Sequence, residues 1–186
     1  MRVFFAFLPD DKTKARLLSL SKSIRANAIG GNFTTLDNFH VTLVFVGDVE
    51  QASLGGLISV VEQCEFTPII IKTKHLGFFS NKGSKDILVW HIERTNDMLD
   101  LYDDLTDILN AKGFQVDERE YRPHFTLARR VHFPQAFLAR HDWMQPPQIS
   151  MKCARLSLME ALRVDGRITY REIHGRNVEV PHDPLR

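Results

Sequence analysis

"FHVTLVFVGDV" at residues 39–49 and "RPHFTLARR" at residues 122–130 carry the same H-x-T-L frame, once at His40 and once at His124. Each frame opens an apolar run rich in Val, Phe and Thr, closed by Gly47 in the first copy, and such a run reads as a β-strand. In a strand, side chains at i and i+2 share a face, so His40 and Thr42 point one way while Val41 and Leu43 point the other. His124 and Thr126 do the same against Phe125 and Leu127. Each frame therefore sets one imidazole and one hydroxyl above an apolar anchor. Two equivalent frames predict two equivalent halves; if these pack with approximate two-fold symmetry, two imidazoles and two hydroxyls converge on one cleft.

The segments around the frames fit that plan. Before the first frame, "RVFFAFL" (2–8) reads as a buried strand stopped by Pro9, and Asp10 or Asp11 caps a helix whose Leu17, Leu20, Ile24 and Ala28 recur at helical spacing until Gly30-Gly31. After it, a helix runs from Gln51 to Cys64 with Leu54, Leu57, Ile58 and Val61 on one stripe. "PIIIKTKHLGFF" and "DILVWHIE" follow as strands on either side of a polar loop at Ser80-Asn81-Lys82-Gly83. The second half opens with a helix from Asn96 to Lys112, striped by Met98, Leu101, Tyr102, Leu105, Ile108 and Leu109 and stopped by Gly113. The second frame, a short helix in "PQAFLARHDW", and two final strands, "SMKCARLSLMEAL" and "ITYREI", complete the chain. Strand-rich halves with about two helices each indicate an α+β protein. No low-complexity linker divides them, so residues 1–186 read as one domain of two intimately packed lobes.

Composition narrows the function classes. The 186 residues are 44% hydrophobic, enough for a real core without disulfides. The two cysteines, Cys64 and Cys153, lie far apart with no C-x-x-C pattern, and read as buried free thiols in a reducing cytoplasm. The start stops too soon at Pro9-Asp10-Asp11 for a signal peptide, and no segment approaches the ~18 apolar residues of a membrane span. With 24 basic against 23 acidic residues and a net charge of +1, the chain lacks the field of a general nucleic-acid coat protein. Any anion is read locally. Arg119, Arg122, Arg129 and Arg130 cluster around the second frame, where they form either a phosphate field or a solvated strand edge. Arg129 and Arg130, directly after the frame, are the candidates for binding substrate.

Two imidazoles and two hydroxyls suit in-line displacement at phosphorus. One histidine removes a proton from the attacking oxygen while the other protonates the leaving oxygen opposite, and imidazole, titrating near ~6.5, offers both forms at neutral pH. The hydroxyls of Thr42 and Thr126 then donate to the non-bridging oxygens as charge develops. No metal, cofactor or covalent intermediate is called for. A lone H-x-T is more often a half-buried histidine beside a strand-favouring threonine, but two copies with the same leucine outweigh that reading. A zinc site is the rival, and neither frame holds a carboxylate or cysteine to complete ~four ligands. His75, His91, His132, His141, His174 and His182 repeat no context and read as ordinary core or surface residues.

With "RVFFAFLPD" at the start and "LGFFSNKGSKDILVWHI" between them, the two frames resemble the two-histidine phosphoesterase superfamily, and within it the RNA 2′,3′-cyclic phosphodiesterases, also called 2′-5′ RNA ligases of the LigT type. The resemblance covers essentially the whole chain. It implies two pseudo-symmetric lobes of mainly antiparallel sheet around a cleft, and hydrolysis of a terminal 2′,3′-cyclic phosphate to a 2′-phosphomonoester. By position, His40 resembles the family's proton donor, His124 its acceptor, and Thr42 and Thr126 its phosphate ligands. The expected partner is RNA with a 2′,3′-cyclic phosphate end or a small cyclic nucleotide, with no membrane, for a cytoplasmic monomer. The same site could instead form or break a 2′-5′ linkage, and a non-catalytic RNA-end binder could use it to hold phosphate. Binding alone would be served by arginine, so the paired histidines favour an enzyme. Where the family often has a serine near the C-terminus this chain has Ala161, and the tail from Gly175 onward matches nothing in the family. Phe7 or Phe79 could stack on a terminal base, with core packing the better reading of Phe7.

Overall fold

The computed structural model describes residues 1–81, 84–117 and 119–178; Lys82 and Gly83 of the expected loop, and His182, lie outside these. The strands are β1 (Arg2–Phe7), β2 (Gly30–Phe33), β3 (Val41–Asp48), β4 (Ile69–Asn81), β5 (Ser84–Ile92), β6 (His124–His132), β7 (Ser150–Cys153), β8 (Arg155–Val164) and β9 (Arg167–Asn177). The helices are α1 (Asp11–Arg25), α2 (Leu54–Gln63), α3 (Asn96–Ala111) and the single turn α4 (Gln135–Leu138). Side-chain caps open the two longest helices: the Asp10 carboxylate accepts from the Thr13 amide at 2.6 Å, and Thr95 accepts from Met98.

The strands join antiparallel in the order β7-β4-β5-β6-β3-β1-β8-β9, with β2 on the same edge of β6 that β3 approaches. This is a curled antiparallel sheet with helices, an α+β fold, and the antiparallel pairing is what the family resemblance implies. One lobe holds β1, β3, β8 and β9; the other holds β2, β4, β5, β6 and β7. They meet in a single residue pair, Val41 opposite Phe125. Both residues are buried, at 0% and 1% exposure, so the joint lies in the core rather than on a surface. One face of the sheet packs on the helices in a continuous cluster that includes Phe5, Val41, Leu43, Leu57, Leu88, Trp90, Leu105, Phe125 and Leu158. The opposite face carries a smaller cluster around Phe4, Ala6 and Met159.

Five local expectations change. Helix α1 ends at Arg25, leaving Ala28 in the turn beyond, because Gly30 and Gly31 begin a strand rather than merely ending a helix. Gly31 has φ 144°, and a Cβ there would lie 2.9 Å from Val131 Cα, so the strand needs glycine to approach β6. Gln51–Ser53 is a 3-10 turn and α2 starts only at Leu54. The short helix in "PQAFLARHDW" is one turn, followed by a 3-10 turn at Asp142–Met144. "SMKCARLSLMEAL" is two strands, parted at Ala154: β7 pairs with β4, whereas β8 crosses to β1. Strand β9 continues through Gly175 to Asn177, so part of the tail is structural.

Cys64 and Cys153 are buried and unpaired. Burial raises both thiols, Cys64 to about 11, so neither is a ready nucleophile. Among the described residues no helix is long and apolar enough to cross a membrane.

Candidate active site

The two frames fold alike beyond their three shared residue types. In β3, Thr42 faces Ala6 and Val44 faces Phe5, which leaves Leu43 as the extra residue of a β-bulge. In β6, Thr126 faces Val89 and Ala128 faces Leu88, which leaves Leu127 in the same role. Both bulged leucines and the residues after them, Val44 and Ala128, are buried in the core. Two successive residues turned inward reverse the alternation that follows. Consequently Phe45, opposite Phe4, and Arg129, opposite Ile87, return to the histidine face. Arg129 thus joins His124 and Thr126, while its counterpart in the other lobe is an aromatic ring.

The joint sets the two histidines against each other. In an antiparallel ladder, one step either side of Val41–Phe125 puts His40 across from Thr126 and Thr42 across from His124. All four lie on the face opposite the buried pair, and all four are half-buried. The two strands share only that one pair, so the four side chains lie along the line where the lobes join, the candidate cleft.

Each imidazole is oriented by the same device. His40 Nδ1 lies 2.8 Å from the Asn38 carbonyl and His124 Nδ1 lies 2.6 Å from the Arg122 carbonyl, in each case two residues back. A carbonyl oxygen only accepts, so both Nδ1 atoms carry the proton and both Nε2 atoms are left for chemistry. Around His40 pack Phe4 and Tyr170, with ring centres 4.9 and 4.5 Å away. Phe79 packs edge-on against His124 at 4.8 Å.

Burial is the main force on both imidazoles. It pushes His40 down to about 4, helped by the positive charges of His124 and Arg129 and opposed by the bond to Asn38. His124 is lowered for the same leading reason, with Arg129 again adding to it. Burial and the positive field thus favour the neutral form of both imidazoles, and an anion that offsets that field favours the charged form.

Of the candidate residues, His40, His124, Thr42, Thr126 and Arg129 share one face. Arg130 does not follow them: it occupies a second bulge with φ 53°, exposed, where β6 passes Gly31. Arg119 and Arg122 are drawn into exposed ion pairs with Asp117 and Glu120. The cluster of four arginines thus resolves into one that faces the cleft and three that do not. Phe7 is a core residue at 0% exposure, whereas Phe79 lies in the cleft.

Three residues near the histidines have no sign in the frames themselves. The Asn38 side chain donates to the Ile168 carbonyl at 2.9 Å and accepts from the Tyr170 amide at 3.1 Å, which ties the turn before His40 to β9. Tyr170 lies 130 residues beyond the frame it touches, and no sequence spacing announces it. His91, read as an ordinary histidine, is the cross-strand partner of His124. Among the described residues no group of three or more His, Cys, Asp or Glu is arranged to hold a metal ion.

The family described as the 2′-5′ RNA ligase superfamily matches the chain over residues 9–165. Similar curated proteins include an RNA 2′,3′-cyclic phosphodiesterase of Bacillus subtilis, 32% identical over 66% of this chain and 68% of that one. Another of that name, from Thermotoga maritima, is 25% identical over 72% of each. Among solved structures, Escherichia coli LigT aligns over 95% of this chain and 96% of its own with a TM-score of 0.74 at 17% identity. A Thermus thermophilus protein aligns over 98% and 100% with a TM-score of 0.76 at 18% identity. These last two likenesses concern the fold.

Proposed function

Because the chain belongs to the 2′-5′ RNA ligase superfamily, we propose that it is an RNA 2′,3′-cyclic phosphodiesterase that opens a terminal cyclic phosphate to a 2′-phosphomonoester, as a monomer and without a metal. Several relatives bear the name RNA 2′,3′-cyclic phosphodiesterase, at identities of 25% and 32% over most of the chain. The observation that carries the mechanism is the matched orientation of the imidazoles, each with Nδ1 donating to the carbonyl two residues back.

In this reading His124 Nε2 takes the proton of a water that attacks phosphorus, and His40 donates from Nε2 to the 3′ oxygen as that bond breaks. One P–O bond forms and one breaks; the phosphate stays on the 2′ oxygen. The Thr42 and Thr126 hydroxyls and the Arg129 guanidinium hold the non-bridging oxygens, whose charge rises in the transition state. His40 needs a proton that burial disfavours, and the phosphate anion of the substrate supplies the field that favours it.

Short RNAs ending in a 2′,3′-cyclic phosphate test the reading directly. The expected product carries a 2′-phosphate and a free 3′ hydroxyl, identified by phosphorus NMR or chromatography, and its yield survives excess EDTA. A 3′-phosphate as main product reverses the assignment of His40 to the 3′ oxygen. Loss of activity with EDTA and its return with zinc or manganese makes the site a metal site instead.

A further inference from the structure

The cleft face of the second lobe continues past His124 as a row of rings. His91 is the cross-strand partner of His124, and on β4 the alternating residues His75, Gly77 and Phe79 lie beside it. The His91 ring occupies the space over Gly77, where a Cβ would come within 2.5 Å of its Nε2. There it is flanked by His75, with ring centres 4.9 Å apart, and by Phe79 at 5.4 Å. Phe79 in turn meets His124 at 4.8 Å. The row therefore begins at the reacting centre and runs outward to His75, which is exposed. Burial is the main cause that lowers His91, and His75, His124, Arg122 and Lys74 add to it, although Arg122 is also paired with Glu120.

Planar rings bordered by cations are what single-stranded RNA binds: bases stack on the rings and the phosphate backbone follows the positive charge. We infer that His75, His91 and Phe79, seated on the glycine at position 77, form a subsite for the nucleotide adjoining the reacting terminal one, so that the protein selects oligonucleotide ends over cyclic mononucleotides. The inference rests on the cyclic phosphodiesterase reading and adds the substrate's length to it. Gly77 is central because any side chain there evicts the His91 ring from its seat.

The test compares a 2′,3′-cyclic mononucleotide with a tetranucleotide ending in the same cyclic nucleotide. The wild-type protein is expected to favour the tetranucleotide in kcat/KM by roughly tenfold or more, in line with the contribution of a stacked base. His91→Ala and Gly77→Ala should each shrink that ratio toward one, chiefly by raising KM for the tetranucleotide. A wild-type ratio near one overturns the subsite. So does an equal loss on both substrates, which would mean that the ring row acts only by supporting His124. Fluorescence anisotropy of a labelled tetranucleotide ending in a 2′-phosphate reads the subsite without turnover. Unchanged affinity in His91→Ala overturns it, whereas weakened affinity beside a wild-type protein that opens neither substrate supports the subsite and overturns the phosphodiesterase reading alone.

Discussion

Replacing His40 or His124 by alanine removes one proton-transfer partner while leaving the buried anchors of each frame in place. Each variant is expected to lose ~10²–10⁴-fold in turnover, with thermal unfolding little changed. The double variant should lose less than the product of the two single losses, because the pair acts as a unit; near wild-type turnover in either single variant would sink the two-histidine mechanism. The pH dependence follows from burial. Both imidazoles are lowered by burial, His40 to about 4, and the productive form has one charged and one neutral. The bell of kcat/KM, which reports the free protein, is therefore expected to have its alkaline limb below the ordinary imidazole value near ~6.5. Bound phosphate raises both groups, so the limbs of kcat should lie at higher pH. The two apparent values belong to the coupled pair, and a profile flat from about pH 5 to 9 would exclude imidazole titration as the control.

Elements rather than single residues decide how these rings are aimed. The β-bulges at Leu43 and Leu127 explain why both frames need the leucine: it fills the core while shifting the alternation that follows, and in β6 that shift brings Arg129 to the cleft. The Thr34 hydroxyl and amide meet the carbonyls of Thr126 and Leu127 at 2.8 and 2.9 Å, clasping the second bulge from the segment that follows β2. On the other side, the Asn38 amide joins β9 while its carbonyl holds His40, so the turn 36–38 transmits the position of β9 to the imidazole. Asn38→Ala cuts that link without touching the ring. Its kcat should fall by up to about 10²-fold, the scale of a small misplacement of a reacting group, with a smaller change in KM. Unaltered kcat would show that the main-chain contact alone orients His40.

At the scale of the molecule, the lobes share one core. The main cluster takes residues from β1, β3 and β8 in one lobe, from β4, β5, β6 and β7 in the other, and from all three long helices. The joint at Val41 and Phe125 lies inside that cluster. Urea unfolding is therefore expected to be a single transition, with far-UV circular dichroism and tryptophan fluorescence coinciding; separate midpoints would mean that the lobes are independent domains. The repeated H-x-T-L frame, with strand alternation, was enough to read two similar halves and four of the cleft residues, because a period of two is local and needs no partner strand. The same local logic missed β2, whose glycines signal a stop unless the approach to β6 is known, and it merged β7 with β8, whose different partners lie far away in the chain. Nor could it separate Arg129 from Arg130 or bring His91 and Tyr170 to the cleft. Those placements depend on bulges and cross-strand register, which are fixed only when two distant strands pair and the core accepts two successive apolar residues.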